Sequence, residues 1–248
     1  MNGVYIMWLR EVKKFMRSKS RIVGALGQPI FYLLALGYGL GSVFRAAGQG
    51  NYIEFLVPGI IGMTLIFTSI FNGMSVIWDR QFGFLKETLV APVSRISIMF
   101  GRTAGGATVA MAQGIIVLAL TFVFGFTPTH WLNIIPAIGV MLLIGLLFSS
   151  LGIMVASLLK DMQGFQLIMN FLVMPMFFLS GSLFPLTGIP FLLSFLAKID
   201  PLSYGIDAMR ALLINQGHFA LSLDLGVLAA LTILFLGLGS YFFSKIEA

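Results

Sequence analysis

Few residues of this chain have the types and spacing that chemistry needs. Cysteine is absent from all 248 residues, which excludes disulfides, thiol nucleophiles and thiolate metal sites. The two histidines, His130 and His218, are far apart, and each reads as a solvated residue of a polar connection. No Gly-x-x-x-x-Gly-Lys-Ser/Thr loop occurs to cradle phosphates, so the chain does not bind ATP through such a loop. His-Glu-x-x-His and Gly-x-Ser-x-Gly are absent too, removing the common metalloprotease and hydrolase signatures. Two kinds of polar residue remain. Asp207 and Arg210, three apart, could pair on one helical face. Gln28, Thr64, Ser69, Asn72, Gln113 and Asn170 are uncharged and lie inside apolar runs. They either hydrogen-bond between helices or, for Gln28, Thr64, Ser69 and Asn72, line a path for a substrate.

The elements that would position these residues follow from composition. Hydrophobic residues make up 58% of the chain, charged residues 10%, and the mean hydropathy is +1.00. A soluble domain of this length cannot hide so much apolar surface. A bilayer is the solvent that accommodates it. Six uncharged apolar stretches are long enough to cross one: Ile22–Phe44, Phe55–Trp78, Ala104–Phe126, Ile134–Leu159, Phe165–Leu186 and Leu225–Ser244. They are uniformly apolar rather than alternating, which favours helices over barrel strands. The first is too long, and its basic lead too extended, for a cleaved signal peptide. With no repeat and no low-complexity linker, residues 1–248 read as one transmembrane domain: a lead at 1–21, five spans over 22–186, an external segment at 187–224 and a sixth span at 225–244.

Charge orients the spans. The net charge is +6, yet in a membrane protein the loops that carry it matter more than its sign, so no nucleic-acid partner is expected. Twelve of the 15 Lys and Arg residues fall on one set of segments, and only Arg45, Lys198 and Arg210 on the other. Both termini are therefore expected on the cytoplasmic side of the cell membrane. No ionisable residue lies inside a span, which disfavours ion-coupled pumps and voltage sensors. Energy for vectorial work must then arrive from another subunit through the cytoplasmic face.

Three segments do not span. Over residues 4–21, Val4, Tyr5, Trp8, Val12, Phe15 and Met16 cluster on one helical face, opposite Arg10, Lys13, Lys14, Arg17 and Arg21. Such a helix lies along the membrane surface, aromatics toward lipid and cations toward headgroups. It is either an anchor or a docking surface for a cytoplasmic partner. In the loop 79–102, Phe84, Leu85, Thr88 and Leu89 recur at helical spacing until Pro92 ends the turn. It is a short contact helix, or an interfacial loop helix with no partner. The connection 187–224 has a largely apolar stretch of only nine residues, Ile189–Ala197, among Pro185, Pro190 and Pro201, so it is re-entrant or interfacial. Gly37/Gly41 and Gly101/Gly105 suit close helix packing.

The loop Gly83-Phe-Leu-Lys-Glu87-Thr-Leu89-Val-Ala-Pro92-Val-Ser-Arg95, followed by Gly101-Arg102, resembles the signature of ABC type-2 transporter permeases. That signature is a Gly, a Glu four residues on, then Leu-x-x-Pro-x-Ser-Arg. A second similarity lies in Ser180-Gly181-x-Leu-Phe184-Pro185 and Asp200-Pro201-Leu-x-Tyr204-x-x-Asp207-x-x-Arg210, with Asp200 where the family usually has Asn. The likeness covers essentially the whole chain and is nearest to the daunorubicin-resistance type of export permease. It implies an all-α membrane protein with six transmembrane helices, an N-terminal amphipathic helix and an external re-entrant segment. It implies a dimer of permeases, membrane lipid around it, and a cytoplasmic ATP-binding subunit that holds ATP and Mg, with no cofactor in this chain. Gly83, Glu87, Leu89, Pro92 and Arg95 would then form the coupling helix. Trp8, Arg10, Lys14 and Arg17 would dock the same ATPase. Pro201, Tyr204, Asp207 and Arg210 would close the outer gate. The expected cargo is a hydrophobic or amphipathic small molecule, with lipid-linked glycan as the neighbouring alternative and a channel or structural membrane protein as the alternative of another class. An integral-membrane enzyme lacks any His, Asp or Glu cluster to work with.

Overall fold

Apolar runs without β-branched alternation leave the backbone no partner but itself, and among the described residues every regular element is helical. The computed structural model describes residues 3–46, 51–90, 93–186 and 188–246, without the side chains of Arg21, Ser42, Arg45, Lys86, Thr88 and Leu89. Pro92 lies outside the described residues.

Twelve α-helices succeed one another among them: α1 Gly3–Arg17, α2 Lys19–Tyr32, α3 Gly41–Ala46, α4 Tyr52–Asn72, α5 Met74–Gln81, α6 Phe84–Val90, α7 Arg95–Val123, α8 Ile134–Leu158, α9 Met162–Leu179, α10 Phe191–Ile199, α11 Pro201–Ile214 and α12 Leu221–Ser244. Five segments are long and apolar enough to cross a membrane: Tyr52–Gln81, Arg95–Val123, Trp131–Leu158, Met162–Leu179 and Leu221–Ser244. A sixth arises only if α1 and Ile22–Tyr38, bent by 71°, count as one broken span. The fold is that of an all-α membrane protein. The expected first span, Ile22–Phe44, is not one regular helix. Pro29 sits inside α2, and the backbone passes into π-helical turns over Leu33–Tyr38.

The centre of the bundle is α4. Leu56, Val57, Ile60, Ile61, Leu65, Ile66 and Ile70 are wholly buried against α7, α8 and α11. Small residues permit this approach. A side chain at Gly73 would collide with the carbonyl of Gly152, and one at Gly152 would meet the carbonyl of Ile70 at 2.5 Å. Gly73 also marks the break between α4 and α5.

The structure corrects three expectations. α7 begins at Arg95, nine residues before the expected span, so Arg102 is inside a helix and fully buried. Asp79 in α5 and Asp224 in α12 are buried as well. All three stand one or two positions beyond the apolar runs, where helix and burial continue although apolarity stops. α9 ends at Leu179, short of Leu186, because Gly181 turns the chain with φ +73. The face that α1 turns into the protein is Met7, Glu11 and Phe15, not the expected apolar face, of which only Phe15 is buried. Gly101, Gly105 and Thr108 form a shallow stripe on α7, and Met7, Trp8 and Glu11 of α1 lie in it. Met7, Glu11 and Phe15 are buried, whereas Tyr5 and Met16 stay exposed.

Candidate coupling face and transport path

Gly83, at φ +79, lets the chain reverse between α5 and α6, a conformation that costs other residues about 1 kcal/mol or more. Leu85 then drops into the core at 1% exposure, which contributes on the order of 2 kcal/mol. With that anchor set, Glu87 and Val90 face outward. Phe84, expected on the same apolar stripe as Leu85, is instead exposed.

Arg95 starts α7 behind Ser94, whose hydroxyl accepts from the Ser97 amide. Its guanidinium donates to the carbonyls of Ser244 at 2.6 Å and Ile246 at 3.0 Å. It therefore caps the C-terminal end of α12, where unpaired carbonyls and the helix dipole favour a cation. Nothing local in the sequence points to this partner, which lies 149 residues away.

Behind α6 is a buried ion cluster. Asp79 accepts from Arg102 and, at 3.0 Å, from Arg10 of α1. The Arg102 Nε and Nη1 have no partner among the described residues. Gln81 adds a bond to the Lys160 carbonyl at 3.3 Å. The end of α5 is thereby tied to α1, α7 and the α8–α9 connection. Of the four docking residues expected on α1, Trp8 and Arg10 turn inward: Trp8 Nε1 donates to Thr108 Oγ1 at 3.0 Å. Lys14 and Arg17 remain exposed.

At the opposite end, Asp207 and Arg210 do not pair with each other. The Asp207 carboxylate accepts from the His218 and Phe219 amides at 2.7–2.9 Å. Arg210 donates to the carbonyls of Gly181 at 3.0 Å and Phe55 at 3.4 Å, with its guanidinium 4.1 Å from the Phe55 ring centroid. Backbone groups left free by turns outcompete an i, i+3 pair. Burial lowers the Arg210 pKa to about 10, opposed by Asp207. Both residues line a cavity of about 230 Å³. Pro201 opens α11 behind Asp200, whose carboxylate caps the helix by accepting from Leu202 at 2.9 Å. Burial raises the Asp200 pKa to about 7. Tyr204 donates to the Lys198 carbonyl at 2.7 Å and stacks on Phe219.

The expected path residues divide. Gln28 and Thr64 line a cavity of about 90 Å³ between α2 and α4, Gln28 reaching Met63 Sδ at 3.7 Å and Thr64 bonding its own helix. Asn72 lines a different cavity of about 240 Å³. Ser69 is fully buried, and its hydroxyl has no partner among the described residues. Gln113 accepts from Thr68 at 2.8 Å, a bond between α4 and α7. No group of acids and histidines among the described residues could hold a metal ion.

Comparison with known proteins gives this architecture a family. The profile of the ABC-2 type transporter family matches residues 2–214. Nodulation protein J of Rhizobium leguminosarum bv. viciae is 29% identical over 225 residues, covering 90% of this chain and 86% of the relative. Nodulation protein J of Rhizobium meliloti (strain 1021) is 28% identical, covering 90% and 83%. The inner membrane transport permease YadH of Escherichia coli (strain K12) is 27% identical, covering 92% and 90%. The chain belongs to the ABC-2 type transporter family and is a multi-pass membrane permease of an ABC transporter.

Proposed function

We propose that this permease forms, with a second copy, the export pathway for a hydrophobic or amphipathic small molecule, and that a cytoplasmic ATP-binding subunit drives it through α6. The observation that carries the reading is how α6 is mounted: a glycine hinge, one buried leucine, and Glu87 and Val90 turned outward. A displacement of α6 would pass to α5 and, through Asp79, to α1 and α7 as a rigid-body shift. Glu87 is the polar contact, and Arg95 holds the adjoining end of α12. α1 braces this assembly from within. ATP and Mg belong to the partner, and both termini face the cytoplasm of the cell membrane. The exposed face of α9, with the Asn170 amide among Leu167 and Phe171, suits a second copy. The outer cavity at Asp207 and Arg210 would form the external gate.

The test is capture of the tagged, detergent-solubilised chain from its native membrane, with mass spectrometry of the proteins that co-purify. A stoichiometric ATP-binding subunit is the expected result. Its absence under mild conditions returns the chain to the channel or structural reading.

A further inference from the structure

Two cavities lie along α4 and α5, and another, at the elbow between α1 and α2, shares Lys14 with one of them. The elbow cavity is a groove of about 840 Å³, walled by Arg10, Lys13, Lys14, Arg17 and Lys19. Arg10 is paired with Asp79, which it shares with Arg102, and among the described residues the other four have no ion pair. Lys14 also lines the second cavity, of about 240 Å³, with Phe71, Asn72, Ser75 and Trp78. The Asn72 amide itself turns away from the cavity toward Gly106 and Ser149, where its Nδ2 has no partner among the described residues. Up the same face of α4, at three- and four-residue steps, Phe67 and Thr64 reach the third cavity, against Gln28. From Trp78 to Thr64 the track runs roughly 20 Å along the helices.

Such a track is cationic and wide at one end, then narrow and aromatic-walled with Lys14 at its mouth, and uncharged only at the far end. Concentrated, unpaired positive charge attracts anions and repels cations. A folded protein surface fills the elbow but not the slot between helices. We infer that the track loads the cargo from the cytoplasmic leaflet, and that the cargo is an amphiphile whose polar end is anionic, a phosphate or carboxylate. Lys14 and Arg17 hold the anionic end; Phe71, Trp78 and Phe67 take the apolar part. This rests on the export reading above and names its substrate class.

Trp78 lies in the slot, and the chain has only two other tryptophans, Trp8 and Trp131. The test uses the full chain carrying Trp8→Phe and Trp131→Phe, folding checked by circular dichroism, in phosphatidylcholine nanodiscs. 16-Bromohexadecyl phosphate and 16-bromohexadecyl trimethylammonium are titrated in, and quenching of Trp78 is read. The phosphate is expected to quench at a concentration about tenfold lower than the ammonium, and Lys14→Ala with Arg17→Ala to erase that advantage. Equal quenching by both amphiphiles overturns the inference. The titration is repeated with one third phosphatidylglycerol in the nanodisc. Retained quenching supports a cargo site; its loss assigns the track to a resident lipid and overturns the cargo role. If the double variant quenches as before yet no longer retains the ATP-binding subunit, the elbow is a docking surface and the inference is again overturned. The nanodiscs contain no ATPase, so the groove is read independently of whether that partner exists.

Discussion

Asp200 caps α11 with a carboxylate that is 6% exposed, and burial raises its pKa to about 7. The folded state thus holds this proton more tightly than the unfolded chain does. The associated stability is fully present below about pH 4, and it is lost as pH rises through 7. Asn accepts the same cap hydrogen bond without a charge. Asp200→Asn should therefore leave thermal stability in detergent nearly unchanged at pH 4 and raise it at pH 8, by on the order of 4 kcal/mol. A variant less stable at pH 8 than the native protein would contradict this. Glu87 is the opposite kind of acid, exposed and without an ion pair among the described residues. Glu87→Ala should alter stability by less than about 0.5 kcal/mol while lowering transport-coupled ATP hydrolysis about tenfold, the loss of one charge-assisted contact. Reconstituted transport and ATPase assays check both halves of that statement.

Among elements, the end of α5 joins α1, α7 and α6, and one carboxylate holds the junction. Removing Asp79 leaves Arg102 buried and uncompensated, whereas removing both charges does not. Asp79→Ala should cost about 3–5 kcal/mol, and Asp79→Leu with Arg102→Met should recover most of it. Thermal unfolding of the three proteins in one detergent gives the comparison. If the double variant is stable but fails to couple, the cluster transmits motion as well as holding the fold. At the α5–α6 reversal, nothing obstructs a side chain at Gly83, yet its φ of +79 does. Gly83→Val should destabilise by about 1–2 kcal/mol or shift α6. Either result lowers coupled ATP hydrolysis, and Gly83→Asn, which tolerates this region better, should lower it less.

For the whole molecule, orientation is the property to measure. The absence of cysteine means that a single introduced thiol reports its own side of the membrane. Val90→Cys and Leu132→Cys sit at exposed positions, 86% and 81%, at opposite ends of α7 and its flanking loops. In intact cells an impermeant maleimide should label the cysteine at 132 and spare the one at 90 until the membrane is opened. The reverse pattern would invert the charge-based topology.

Hydropathy alone determined that the chain is helical and membrane-embedded, and it located the five long spans, since only length and apolarity enter that decision. That Glu87 lies off the apolar stripe of its short helix was legible, because helical spacing is a local property. Arg95 was not: its partners, the last carbonyls of α12, are brought to it only by packing. The same holds for Asp79 and Arg102, which read as loop charges beyond the apolar runs and became a buried cluster once α1 closed over α7. For Asp207 and Arg210, spacing allowed a pair, and the turns at 181 and 218 supplied nearer backbone partners. Periodicity states which face of a helix is apolar. Which face is covered by protein, in α1 the one against the stripe of Gly101 and Gly105, is decided by tertiary structure, because it depends on the shape of a second helix distant in sequence.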